Sequence, residues 1–159
     1  MYRRIVLAYD GSREGRSALR EGALLARKLG SRVFLLSVVA ENAGMRIGDA
    51  AYPDGVGQSR QTYKDLFDEG IGWLREKGMN PEGRIVEGEP APTIAAYAKE
   101  VGADLVVVGH RRQSLLQRWW SGGAGAYLVD HLGCSLLIGR QQVSDEDFHE
   151  AFGSAETPA

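Results

Sequence analysis

The residues best suited to chemistry in this chain lie in two short segments. One is Asp10-Gly11-Ser12, which directly follows an apolar run. The other runs from Gly109 through His110-Arg111-Arg112 to Trp119-Trp120-Ser121-Gly122-Gly123-Ala124-Gly125. At the end of a strand these residues are suited to polar contacts, and the glycines let the backbone approach a ligand closely. A basic segment leading into a glycine-rich helix start presents free amides, a positive dipole end and guanidinium groups, which together suit an anion such as phosphate. Glycine clusters before helices are also common connectors, and basic loops are often only solvated, so the stretch is a phosphate-site hypothesis by its placement rather than by composition.

Other chemistries find less support. His110, His131 and His149 are scattered without a carboxylate or cysteine at ligand spacing, which points away from a metal site. Cys134, the single cysteine, begins an apolar run and reads as a buried, unreactive thiol. It also precludes an intrachain disulfide, which fits a reducing compartment. No nucleophile elbow or Ser-His-Asp set is present to support hydrolysis. Ser121-Gly122-Gly123 faintly resembles the pyrophosphatase loop of adenylating enzymes, but it continues Ala-Gly instead of Asp-Ser and follows the wrong strand. Adjacent Trp119 and Trp120 cannot easily face one side. The expectation is one packed beneath the loop and one at a lid or protein interface.

The elements that must position these residues alternate. Ile5–Tyr9 is a continuous apolar run, as expected of a strand covered on both faces. Ser12 is placed to cap a helix whose inward face is Ala18, Gly22, Leu25, Ala26 and Leu29, with Gly30 as its stop. Val33–Val39 is the second strand, and 40–59, with four glycines and a proline, a long loop. Tyr63, Leu66, Phe67, Gly70, Ile71 and Leu74 give a second amphipathic helix closing near Gly78. Arg84–Glu87 is a third strand; a third helix has Pro92 in its first turn and ends at Gly102. Leu105–Val108 is the strongest strand, followed by a helix through Leu128, Val129 and Leu132 and a last strand, Ser135–Ile138.

Strict alternation predicts a single-domain α/β fold over 1–140, an open, mostly parallel five-stranded sheet with helices on both faces. Residues 141–159 form a polar tail, either a short helix around Phe148 or disordered. In such a sheet, ligands sit beyond the carboxyl ends of strands where strand order reverses, and the two chemical segments end strands one and four.

The totals bound the partners. With 159 residues there is one full core and no room for two. A net charge of −2 supplies no field to attract nucleic acid or an anionic membrane. The N-terminal apolar run is too short for a secretory signal and no run approaches spanning length, so a cytoplasmic protein is expected.

Four segments carry a family resemblance: Ile5 to Ser12, Gly88-Glu89-Pro90, Ala103 to Gly109, and Cys134 to Ile138. In this order and at these separations they resemble universal stress protein domains. The resemblance implies a Rossmann-like sheet in the order 3-2-1-4-5 and a homodimer joined through Ser135–Ile138. It also implies either a stress-response protein that binds ATP or AMP without catalysing a reaction, or a member that binds none and acts as a dimeric interaction module. The family's ATP pattern is Gly, two residues, Gly, nine residues, Gly, then Ser or Thr. Gly109 and Gly122 match its first and third glycines; Arg112 replaces the second, Gly123 the hydroxyl residue, and Gly125 a further hydroxyl position. Asp10 matches the residue that faces ribose and a nucleotide-bound Mg, and Val38 the one whose backbone meets adenine. The implied contacts are thus Ala8, Tyr9, Asp10, Val38, Gly109, Arg112, Gly122, Gly123, Ala124 and Gly125. An arginine at a glycine position costs about 1 kcal/mol or more if the backbone there is left-handed. Its guanidinium either pairs with phosphate or fills the phosphate site itself.

Overall fold

A computed structural model of the chain describes residues 1–39, 60–110 and 124–152. The expected long loop 40–59 and most of the basic glycine-rich stretch, including Arg112, Trp119, Trp120, Gly122 and Gly123, lie outside the described residues. Five strands form one sheet: β1 (Arg4–Ala8), β2 (Arg32–Val39), β3 (Glu82–Glu87), β4 (Leu105–Gly109) and β5 (Ser135–Gly139). Every neighbouring pair is parallel and the order is β3-β2-β1-β4-β5. Order therefore reverses at β1, whose neighbours are β2 on one side and β4 on the other.

Five helices are described: α1 (Arg13–Leu29), α2 (Arg60–Glu76), α3 (Pro90–Val101), α4 (Ala124–His131) and α5 (Asp145–Phe152). Alternation within each strand sorts the core into two layers. Ile5, Leu7, Leu35 and Val107 face Ala18, Ala23, Ile71 and Leu74 of α1 and α2, and Phe148 of α5 joins that layer. Val6, Leu36, Val106 and Val108 face Ile94, Tyr97 and Ala98 of α3 and Leu128 of α4. Because both faces are covered, β1 and β4 can be apolar throughout, and Ile5, Val6, Leu7, Val106 and Val107 are at most 1% exposed.

One element start differs from expectation by more than a residue. β3 begins at Glu82, because Glu82 and Gly83 already pair with Phe34 and Leu35 of β2; a glycine and a glutamate gave no apolar signal to extend the strand. α3 begins at Pro90 and keeps Pro92 in its first turn, as expected; at Pro90 itself a missing amide costs nothing. On α4, Leu128 is buried while Val129 is 66% exposed, so only one side of that helix meets the core. The segment after β5 runs on into α5, with Phe148 buried.

The two sheet edges differ. β3 exposes Glu82, Gly83, Arg84 and Glu87, with Arg32 paired to Glu82 and Arg84 to Glu100 at 2.7 Å. β5 instead carries the half-buried Leu136, Leu137 and Ile138.

Candidate functional site at the carboxyl edge of the sheet

The strands whose ends should meet a ligand stand side by side. Val38 on β2, Ala8 on β1 and Gly109 on β4 end adjacent strands, and Ala8 and Val38 both pack on the α3–α4 face. α4 joins two parallel strands, so it runs antiparallel to them and its N-terminus, Ala124-Gly125, lies at this same edge. The fold thus assembles Ala8, Asp10, Val38, Gly109, Ala124 and Gly125 of the expected set around one strand-end edge. Arg112, Gly122 and Gly123 lie outside the described residues.

Asp10 is held by its own turn. Its Oδ1 accepts the Ser12 amide at 2.9 Å and the Ser12 hydroxyl at 2.6 Å, while Ser12 Oγ accepts the Gly15 amide at 2.9 Å. One serine therefore caps α1 and orients the aspartate in a single chain of hydrogen bonds. Gly11 makes the turn at φ +74°, with the Leu66 side chain of α2 so close that a Cβ would sit 2.7 Å from it. Gly15 leaves the room that the carboxylate occupies, since a Cβ there would be 2.3 Å from Asp10 Oδ1.

Tyr9 is anchored in the core by ring and backbone. Its ring is buried against Gly70, its amide donates to Leu36 O at 2.9 Å, and its carbonyl accepts the Ser37 hydroxyl at 2.8 Å. Burial pushes the Tyr9 phenol above its ordinary pKa, with the nearby Glu69 adding to the effect and Arg16 opposing it. Arg16 of α1 meanwhile grips Glu69 of α2 through Nε and Nη2, at 3.0 and 3.1 Å. Gly109 also proves to have a reason internal to the protein. A Cβ there would lie 2.8 Å from the Glu14 carbonyl oxygen and 3.0 Å from the Gly15 amide, so the first turn of α1 rests directly on the end of β4.

Two positioning residues escaped the sequence reading, Ser37 and Gly15. Ser37 left a usable trace: a lone hydroxyl inside the run Leu35 to Val39 must find a buried partner. Gly15 left none, because a glycine in a first helical turn reads as ordinary.

A neighbouring cleft of about 250 Å³ is lined by Arg13, Glu14, Ser17, His110, Gly139, Arg140 and Gln142. It lies beside the ends of β4 and β5 on the α1 side, and neither Asp10 nor Val38 lines it. Asp104, in one of the segments with family resemblance, lies at the other end of the sheet. There it accepts the amides of Arg3 and Arg4 at 2.7 and 3.0 Å and ties the start of β1 to β4. Cys134 is half-buried, not fully buried as expected, because it precedes an edge strand; burial and the charge of Asp104 raise its pKa. Among the described residues, no group of three or more His, Cys, Asp or Glu could hold a metal ion. No described helix is long and apolar enough to cross a membrane.

With this geometry in place, comparison is decisive on kinship. The pattern of the universal stress protein family matches residues 1–140. The chain belongs to that family. A universal stress protein from Synechocystis is 27% identical over 149 residues, covering 86% of this chain and 97% of its own. Among solved structures, a universal stress protein in complex with cAMP superposes with a TM-score of 0.65 at 21% identity, over 89% of this chain and 99% of its own. A family protein of Arabidopsis thaliana with AMP bound gives 0.60 at 21% identity, over 91% and 94%. These structural likenesses share the five-stranded fold.

Proposed function

We propose that the protein binds an adenine nucleotide at the carboxyl edge of β2, β1 and β4, and acts through that binding without catalysing a reaction. The observation that carries the reading is the Asp10–Ser12–Gly15 clip, which orients a carboxylate at the point where strand order reverses. The Val38 backbone meets the adenine, with Ala8 beside it, Asp10 faces the ribose and a nucleotide-bound Mg, and Gly109, Gly122, Gly123, Ala124 and Gly125 take the phosphates through backbone amides. The related structures with cAMP and AMP support an adenine ligand. The same reading makes the protein cytoplasmic. The family resemblance adds a homodimer through β5, whose outer edge has no strand partner among the described residues.

Calorimetric titration with ATP·Mg, ADP, AMP and cAMP tests the assignment. Saturable binding that weakens on Asp10→Ala is expected; flat heats up to about millimolar nucleotide, a range that already means only ~4 kcal/mol of affinity, would refute it. Arg112 favours a second reading, a family member whose phosphate site is closed by its own guanidinium. Under that reading Arg112→Gly with Gly123→Ser creates ATP binding that the unaltered chain lacks.

A further inference from the structure

The family match ends at residue 140, yet the chain continues into an ordered segment that lies across α1 and α2. This segment is independent of the nucleotide edge, and its chemistry is one-sided. Residues 141–152 contain Asp145, Glu146, Asp147 and Glu150, no lysine or arginine, and Phe148 and Phe152 one helical turn apart. The groove that receives them is the complement. Phe148 meets the edge of Trp73 with ring centres 5.5 Å apart, Lys77 lies 5.6 Å from its ring, and Arg27 lies 4.2 Å over the Phe152 ring. Asp145 Oδ1 takes both Arg20, at 3.1 Å, and Lys77, at 3.0 Å.

Two features make this contact separable from the fold. An eight-residue helix has no stability of its own in water, so α5 is ordered by docking. The chain just before it has separate anchors. Arg140 and Gln141 donate their amides to Glu21, and the Gln141 carbonyl accepts from Ser17 at 3.1 Å. α5 can therefore leave while β5 stays in the sheet.

We propose that the α1–α2 groove is a docking site for an acidic amphipathic helix with two aromatic residues one turn apart on a partner protein, and that α5 occupies it in cis as a built-in competitor. Arg20, Arg27 and Lys77 select the acidic face and Trp73 receives the first aromatic. The partner gains the groove only when α5 gives it up, so α5 sets the threshold for association.

The test uses a fluorescein-labelled peptide of residues 141–152 as the probe, titrated by anisotropy against the intact chain and against Phe148→Ala and Asp145→Lys full-length variants. Both variants undock α5, and the peptide should bind them at least about tenfold more tightly than the intact chain, because the competent fraction rises. The same peptide carrying F148A should not bind, and added salt should weaken binding. Equal affinity for all three chains would overturn the proposal, as would binding of the F148A peptide or no binding to either variant up to about 1 mM. If Phe148→Ala loses its circular-dichroism signature, Asp145→Lys, which removes no core group, decides alone. If both variants unfold, α5 is an integral part of the core and the proposal fails.

Discussion

Replacing Gly15 with alanine sets two effects of known sign against each other. Glycine in a helix costs up to about 1 kcal/mol relative to alanine, so the substitution should stabilise α1 if nothing else intervened. Gly72 in α2 is the matched control, since a Cβ there meets nothing within 4 Å. At Gly15 the new Cβ would lie 2.3 Å from Asp10 Oδ1, and real Cβ atoms essentially never come within 3.0 Å of such an atom. The carboxylate must therefore swing away from Ser12, giving up contacts of 2.6 and 2.9 Å. Hydrogen bonds to a charged group are worth roughly 1.5–3 kcal/mol each, and water recovers part of that for a half-exposed carboxylate. The balance is a net loss of about 1 kcal/mol for Gly15→Ala, against a gain of about 1 kcal/mol for Gly72→Ala. For a chain of this size that separates the two melting temperatures by roughly 4–8 °C. Thermal unfolding followed by circular dichroism reads the stability, and calorimetric titration reads nucleotide affinity, which should fall for Gly15→Ala and hold for Gly72→Ala. If Gly15→Ala gains stability as Gly72→Ala does, and its nucleotide affinity is unchanged, the clip is not what this glycine serves.

Other sites give sharper single readings. Ser37→Ala strips the Tyr9 carbonyl of its buried donor and should cost about 1–3 kcal/mol in urea unfolding, with weaker nucleotide binding as Asp10 loses its support. A neutral unfolding curve would show that the hydroxyl is dispensable. Asp145 is held below the usual carboxylate range by the hydrogen bond from Lys77 and the charge of Arg20, and Asp147 by hydrogen bonds from Ser144. Lowered folded-state values mean that both support the docked α5 above about pH 4 and lose that support as pH falls through the depressed range. Limited proteolysis should accordingly release the tail faster at pH 3 than at pH 7, and Asp145→Asn should flatten the difference. Cys134, with its pKa raised, should react with iodoacetamide more slowly at pH 7.5 than a cysteine in the urea-unfolded chain. Equal rates would contradict that environment.

Most of the architecture was legible because periodicity and punctuation agreed. Continuous apolar runs at Ile5–Tyr9 and Leu105–Val108 are what a strand covered on both faces requires, and Gly30 and Gly102 end their helices in the left-handed conformation that favours glycine. Strand order followed from the family resemblance. What stayed hidden depends on contacts between distant segments. Glu82 and Gly83 join β3 because they pair with Phe34 and Leu35 of β2, and Gly109 is required by the Glu14 carbonyl as much as by any ligand. Phe148 was visible as an aromatic in an acidic tail, but its partner Trp73 lies on a helix far away in sequence. At the site, Asp10 was recognisable by its place after β1, whereas Ser37 and Gly15 act through Tyr9 and Asp10 and carry no motif.

The contrast between the two sheet edges limits how the protein can assemble. A strand can be added only where the outer residues accept company, and β3 presents alternating exposed charges already engaged with Arg32 and Glu100. β5 alone offers an apolar rim. If two copies pair through β5, as the proposed dimer requires, a two-fold axis uses up the one apolar edge in each. Such a pair would close on itself, because the edge left outside is the charged β3.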